Sequence, residues 1–178
     1  MLAPEAETDE PPSSRAGVSI GRPTIDDGGE LYRLAAESKV LDLNSRYAYL
    51  LWCRDFAATS VLATLDGQAV GFVSGYRRPD EPGTLVVWQV AVDAAARGHG
   101  IAGRMLDALS RQVPDIDHLE TTITPDNAAS GRLFAAFARR HGASVATREL
   151  FGADLLGSGH EPEVLHRIGP LDPSAAQK

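Results

Sequence analysis

The feature that most limits what this chain can become is an apolar strand running into a glycine-rich turn and then a helix. TLVVWQVAV (84–92) has almost no polar interruption, the pattern of a strand buried on both faces. DAAARGHGIA (93–102) follows, and Ile101, Met105, Leu106 and Leu109 then recur on one helical face over about 100–113. Gly98 and Gly100 remove Cβ atoms from the turn, so a ligand can approach the backbone. The first turn of the helix leaves several N–H groups unpaired at the positive end of its dipole. Such a turn cradles a phosphate or pyrophosphate, and Arg97 adds a side-chain charge.

Two familiar phosphate motifs do not fit. A P-loop needs G-x-x-x-x-G-K-[ST], and neither the lysine nor the spacing is present. Gly98-x-Gly100-x-x-Gly103 matches a dinucleotide fingerprint formally, but that fold opens with a parallel βαβ unit. Here the strand follows a hairpin instead, because Asp66-Gly67 separates TSVLATL (59–65) from QAVGFVSGYRR (68–78). Taken alone, the loop is equally consistent with a glycine-softened turn that binds nothing.

Upstream, VSIGRP from Val18 reads as a short strand, and Thr24 with Asp27 marks a helix start before Leu31, Leu34 and Ala35. A second helix starts near Asn44 or Ser45. Downstream come a strand at 118–124, a helix from Asn127 to His141, and strands in SVATREL and EVLHRIG. This order predicts an α/β domain of the α+β type over 18–170, with a mixed, mostly antiparallel sheet and helices on both faces. Residues 1–17 and 171–178 are rich in Pro, Glu, Ala and Ser without an apolar face, and read as flexible tails.

Composition excludes several roles. A net charge of −7 argues against nucleic-acid binding, which rests on a basic surface, and is compatible with a cationic substrate. No apolar run approaches the length of a membrane span, and no N-terminal stretch has the build of a secretory signal. A cytoplasmic location is therefore expected. The single cysteine, Cys53, rules out an intramolecular disulfide, and its helical setting points to the core.

Arg97-x-x-Gly100-x-Ala102 after an apolar strand, with Asn127-Ala-Ala-Ser130-Gly-Arg-Leu133-Phe134 downstream, resembles the GNAT superfamily of N-acetyltransferases. The resemblance implies a central splayed strand whose Val90, Ala91 and Val92 backbone pairs with the pantetheine arm of acetyl-CoA. An N–H there, assigned to Val90, would steady the thioester oxyanion. It further implies that Arg97 and the amides of Gly98, His99, Gly100, Ile101 and Ala102 take the pyrophosphate. Asn127, Ser130 and Phe134 would form a second cofactor segment. Many members carry a tyrosine where Phe134 stands, to protonate the departing thiolate; phenylalanine cannot. Water, another group or unassisted departure must replace it, and a thiol pKa near 8.5 permits the last.

LDLNSRYAYLLWCRDFAATSV (41–61), GFVSGYRRP (71–79), LVVWQVAV (85–92), ETTITPDNAAS (120–130) and HEPEVLHRIGP (160–170) are together similar to the diaminobutyrate acetyltransferases of ectoine biosynthesis. That likeness implies transfer to the γ-amine of L-2,4-diaminobutyrate, and a homodimer. Asp42, Asn44, Tyr47, Trp88, His160, Glu161 and Glu163 become candidate substrate contacts. Asp42 or Asn44 would equally serve as a helix N-cap. Alternation sets Trp88 on the face of Val90 and Val92, where core packing and cation–π contact compete. It also points Glu161 and Glu163 to one face. An alkylammonium must lose a proton before it attacks, so Glu161, Glu163 and His160 are candidate bases, with ordered water as the rival. HExE lacks the helical H-E-x-x-H spacing, and no metal is expected. Acetylation of another small diamine or polyamine, protein lysine acetylation and a non-catalytic acetyl-CoA-binding module remain alternatives.

Overall fold

The structure is a computed structural model of the chain and describes residues 17–157 and 159–172. The main elements are β1 (Ser19–Gly21), α1 (Gly28–Ser38), α2 (Arg46–Asp55), β2 (Val61–Leu65), β3 (Gln68–Arg78), β4 (Glu81–Val92), α3 (Ile101–Gln112), β5 (His118–Ile123), α4 (Ala128–Arg140), β6 (Ser144–Phe151), α5 (Ala153–Leu156) and β7 (Glu163–Gly169). The seven strands form one sheet in the order β1-β2-β3-β4-β5-β7-β6. Among the described residues only the β4–β5 pair is parallel. The expected α+β architecture is therefore present, with the short α5 added between the last two strands.

Local chemistry explains the joints. Asp66 and Gly67 both have positive φ, 51° and 78°, as a two-residue type I′ hairpin turn requires. Thr24 and Asp27 form a reciprocal capping box, with the Thr24 N–H donating to Asp27 Oδ2 at 2.7 Å. The N-cap of α2 is neither Asp42 nor Asn44 but Ser45, whose Oγ accepts from the Ala48 amide at 3.2 Å. That leaves both earlier side chains unneeded for capping.

Two cores flank the sheet. On one face α3 and α4 bury Met105, Leu106, Leu109, Phe134 and Phe137 against Val73, Leu85, Val87 and Leu119. On the other, α1 and α2 bury Leu31, Leu34, Tyr49 and Cys53 against Phe72 and Ala91. Each fully buried large side chain contributes about 1.5–3 kcal/mol. Leu171, placed in the C-terminal tail by composition, instead belongs to the first core, and its amide donates to the Asp117 carbonyl at 2.8 Å. A compositional window misses a lone apolar residue that folds back. The remainder of both expected tails, 1–16 and 173–178, lies outside the described residues.

Burial pushes the Cys53 thiol up to about 11, so it stays protonated and un-nucleophilic at neutral pH. Native protein at pH 8 is expected to resist alkylation by iodoacetamide for hours and to be labelled on unfolding. Rapid native labelling, followed by mass spectrometry, would contradict this packing.

Candidate active site

The centre of the sheet is split. β4 and β5 pair only at Thr84–His118, Leu85–Leu119 and Val86–Glu120. Beyond Val86, β4 stays with β3 as far as Val92, while β5 stays with β7 as far as Ile123. The strands thus diverge, and the β5-facing edge of β4 from Val87 to Val92 has no strand partner. Backbone groups in such a gap need a polar, extended ligand or water.

A bulge shapes the same strand. Ser74 pairs with Gln89 and Gly75 with Val87, which leaves Trp88 without an opposite residue. The extra residue reverses the alternation, so Leu85 and Val87 face the α3–α4 core and so do Val90 and Val92. Trp88 therefore does not share a face with Val90 and Val92, contrary to simple alternation. It turns to the α2 side and lies against Trp52 at a centroid distance of 4.3 Å. Its indole remains 41% exposed.

One cleft, of 460 Å³, runs from the split to the start of α3. Val90, Ala91, Val92, Arg97, Gly98, Gly100, Ile101, Ala102, Asn127 and Ser130 all line it. Gly98 and Gly100 have φ of 84° and 69°, and a Cβ at either would meet nothing within 4 Å. The first helical bond of α3 runs from the Arg104 amide to the Gly100 carbonyl at 3.1 Å, which leaves the preceding amides of Ile101, Ala102 and Gly103 free. Arg97 Nε donates to the Val92 carbonyl at 3.1 Å, which fixes the guanidinium beside the turn. Asn127 caps α4, its Oδ1 accepting from the Ser130 amide at 3.1 Å, and its amide NH₂ stays available. His99 belongs to the turn but does not line the cleft. A free strand edge, a row of amides at a helix start and one arginine suit an extended amide-bearing arm ending in a pyrophosphate.

A second cleft, of 310 Å³, occupies the split. Asp42, Asn44, Trp88, Gln89, Val90, Thr121, Thr122, Thr124, Asn127, Ser130, Phe134 and Glu163 line it. A third, of 520 Å³, continues on the α2 side past Tyr76, Arg78, Trp88, Glu120, Arg148, Phe151 and Glu163. Trp88 and Glu163 are common to both. Of the residues suggested by the sequence, Asp42, Asn44, Trp88 and Glu163 converge here. Tyr47 does not: it is 68% exposed at the start of α2. His160 and Glu161 are exposed and line neither cleft, because β7 begins only at Glu163 and strand alternation never reaches Glu161.

Gln89 was not anticipated. It is buried, accepts from the Tyr49 hydroxyl at 3.1 Å and donates to the Asp42 carbonyl at 3.0 Å. It thereby ties the 39–45 segment to the bulged strand and sets the position of Asp42. The clue was a single polar residue inside VVWQVAV, since a buried amide must find partners. Glu120 is the other buried polar group nearby: Arg167 reaches it at 2.5 Å and Arg78 at 3.3 Å, and both also reach Glu81. Hydrogen bonding from Arg167 holds the Glu81 carboxyl below its usual range. Among the described residues, no cluster of three or more His, Cys, Asp or Glu side chains is placed to hold a metal ion, and no helix is long and apolar enough to cross a membrane.

Known proteins carry the same plan. The family model of the GNAT acetyltransferases matches residues 28–138. L-2,4-diaminobutyric acid acetyltransferase from Streptomyces avermitilis is 56% identical over 160 residues, covering 87% of this chain and 89% of the relative. The enzyme of that name from Halomonas elongata is 46% identical over 155 residues, covering 85% and 81%. Diaminobutyrate acetyltransferase EctA from Paenibacillus lautus, solved with L-2,4-diaminobutyric acid and coenzyme A, superposes with a TM-score of 0.84 at 38% identity, covering 87% of this chain and 96% of that one. Ard1 from Thermoplasma volcanium shares the fold, with a TM-score of 0.70 at 18% identity over 87% and 99% of the two chains. With the split sheet, the glycine turn and identities of this size in agreement, the chain belongs to the GNAT acetyltransferases and, within them, to the L-2,4-diaminobutyric acid acetyltransferase family.

Proposed function

We propose that this protein transfers the acetyl group of acetyl-CoA to the γ-amine of L-2,4-diaminobutyrate, a step toward the compatible solute ectoine. The observation that carries the reading is the split between β4 and β5, where the cofactor-type cleft and the 310 Å³ acceptor-type cleft meet at Val90, Asn127 and Ser130. Bound acetyl-CoA would supply an activated thioester carbonyl at that junction. The Val90 backbone N–H is the group assigned to hold the carbonyl oxygen as it gains charge. Arg97 and the turn from Gly98 to Ala102 hold the pyrophosphate, His99 contributing its amide alone. Asn127 steadies the arm.

On the acceptor side, Asp42, Trp88 and Glu163 receive the ammonium groups, with Asn44 beside them. Glu163, the acidic side chain common to the two acceptor clefts, holds the reacting amine and takes its proton, directly or through water. His160, Glu161 and Tyr47 drop to peripheral roles because they stand outside both clefts. Phe134 closes the floor of the split and donates no proton, so the thiolate departs as such or is protonated by water. A cytoplasmic homodimer is part of the same reading and rests on the family likeness.

Incubation with acetyl-CoA and L-2,4-diaminobutyrate, with the product resolved by NMR, tests it directly. One acetyl group on the γ-nitrogen is expected, with ornithine, lysine and putrescine at least tenfold poorer acceptors. Acetylation of the α-nitrogen, indifference among these amines or binding of acetyl-CoA without turnover would each refute it.

A further inference from the structure

The acceptor proposed above carries one carboxylate, and among the described residues no arginine or lysine lines the 310 Å³ cleft to receive it. The adjoining cleft on the α2 side has two, Arg78 and Arg148. They are not equivalent. Arg78 Nη1 lies 3.2 Å from Glu81 and 3.3 Å from Glu120, within a four-charge cluster completed by Arg167. Its charge is already balanced. Arg148 has no ion-pair or hydrogen-bond partner among the described residues, although it projects from β6 into a cleft also lined by acidic side chains.

Register places Arg148 relative to the reacting end. Arg148 is opposite Leu165, and Phe151 is opposite Glu163, in the β6–β7 ladder. Paired residues share a face, as do residues two apart on one strand, so Arg148 and Glu163 lie on the same side of the sheet. Leu165 and Glu163 are roughly 7 Å apart along β7. The two clefts thus present unpartnered carboxylates (Asp42, Asp80 and Glu163) and one unpartnered guanidinium, a pattern that complements an acceptor with two ammonium groups and one carboxylate.

The geometry points to Arg148 as the residue that binds the α-carboxylate of the acceptor and so selects a diamino acid over a plain diamine. This rests on the proposed acetyl transfer and deepens it. A guanidinium grips a carboxylate in a planar fork that an ammonium cannot copy. With that end held over β6, the α-amine is kept on the outer side and the distal amine extends past Trp88 to Glu163 and the split. Arg148 would therefore set both substrate class and the nitrogen that reacts.

The test compares L-2,4-diaminobutyrate with 1,3-diaminopropane, the same chain without its carboxylate, followed as product or as competitive inhibition. Arg148→Ala is expected to raise the KM for diaminobutyrate about tenfold to hundredfold, with kcat changed less than about threefold, as fits loss of a charge-assisted contact. Diaminopropane should be unaffected within about twofold, and Arg148→Lys should recover part of the loss. Arg148→Gln, with thermal melting of each variant, separates recognition from folding on this exposed strand. Parallel losses on both acceptors, or no loss on diaminobutyrate, overturn the assignment. A wild-type protein inactive on diaminobutyrate would instead refute the proposed function.

Discussion

Gly100→Asp is expected to leave the protein folded and to weaken coenzyme A binding by about thirtyfold to a thousandfold. The glycine caps α3 with φ of 69°, a region that aspartate tolerates better than most residues with a Cβ. Apart from the two adjacent residues, no protein atom lies within 4 Å of the position its Cβ would take, so the fold has room for the side chain. What the carboxylate meets is the ligand. It would sit before the free amides of α3, where the pyrophosphate is proposed to bind, and a like charge there costs about 2–4 kcal/mol at the effective dielectric of a protein surface. Calorimetric titration with coenzyme A measures the loss, and melting measures the fold. A dissociation constant within threefold of wild type would remove the pyrophosphate from this turn.

Glu163→Gln carries the second large effect, a fall in kcat/KM of about a hundredfold or more at neutral pH. The amide keeps the shape of the side chain but neither attracts an ammonium nor accepts its proton. The sign of the pH response follows. The free amine fraction of the acceptor rises toward a pKa near 10, so the variant should regain activity as pH increases, more steeply than wild type. Glu161→Gln and His160→Gln should stay within about twofold of wild type, since both positions lie outside the clefts. Equal losses for Glu161 and Glu163, or a pH profile for the Glu163 variant parallel to wild type, would leave proton removal to ordered water.

Much of this could be read along the chain because the signals are local. A type I′ turn needs only Asp66 and Gly67, and the phosphate cradle only a strand, two glycines and the first turn of a helix. The stripe of Ile101, Met105, Leu106 and Leu109 is set by helical period, and all four are buried. The acceptor side was less legible. Alternation puts Trp88 on the wrong face because it holds only in a regular ladder, and the bulge opposite Ser74 and Gly75 breaks it. Alternation pairs Glu161 with Glu163 only in a strand that spans both, and β7 starts at Glu163. Arg148 lies outside every motif, and LVVWQVAV by itself does not say what Gln89 holds: the first matters through its register with β7, the second through partners 40 and 47 residues away.

The sequence by itself determined the order of elements, the glycine turn and the family, since each follows from residues close together or from many residues matched at once. Only the tertiary structure decided where β4 and β5 part, on which side of the sheet Trp88 lies, and which acidic groups reach the gap. These depend on strand pairing between distant segments, and one extra residue in such a pairing reverses the direction of the side chains after it.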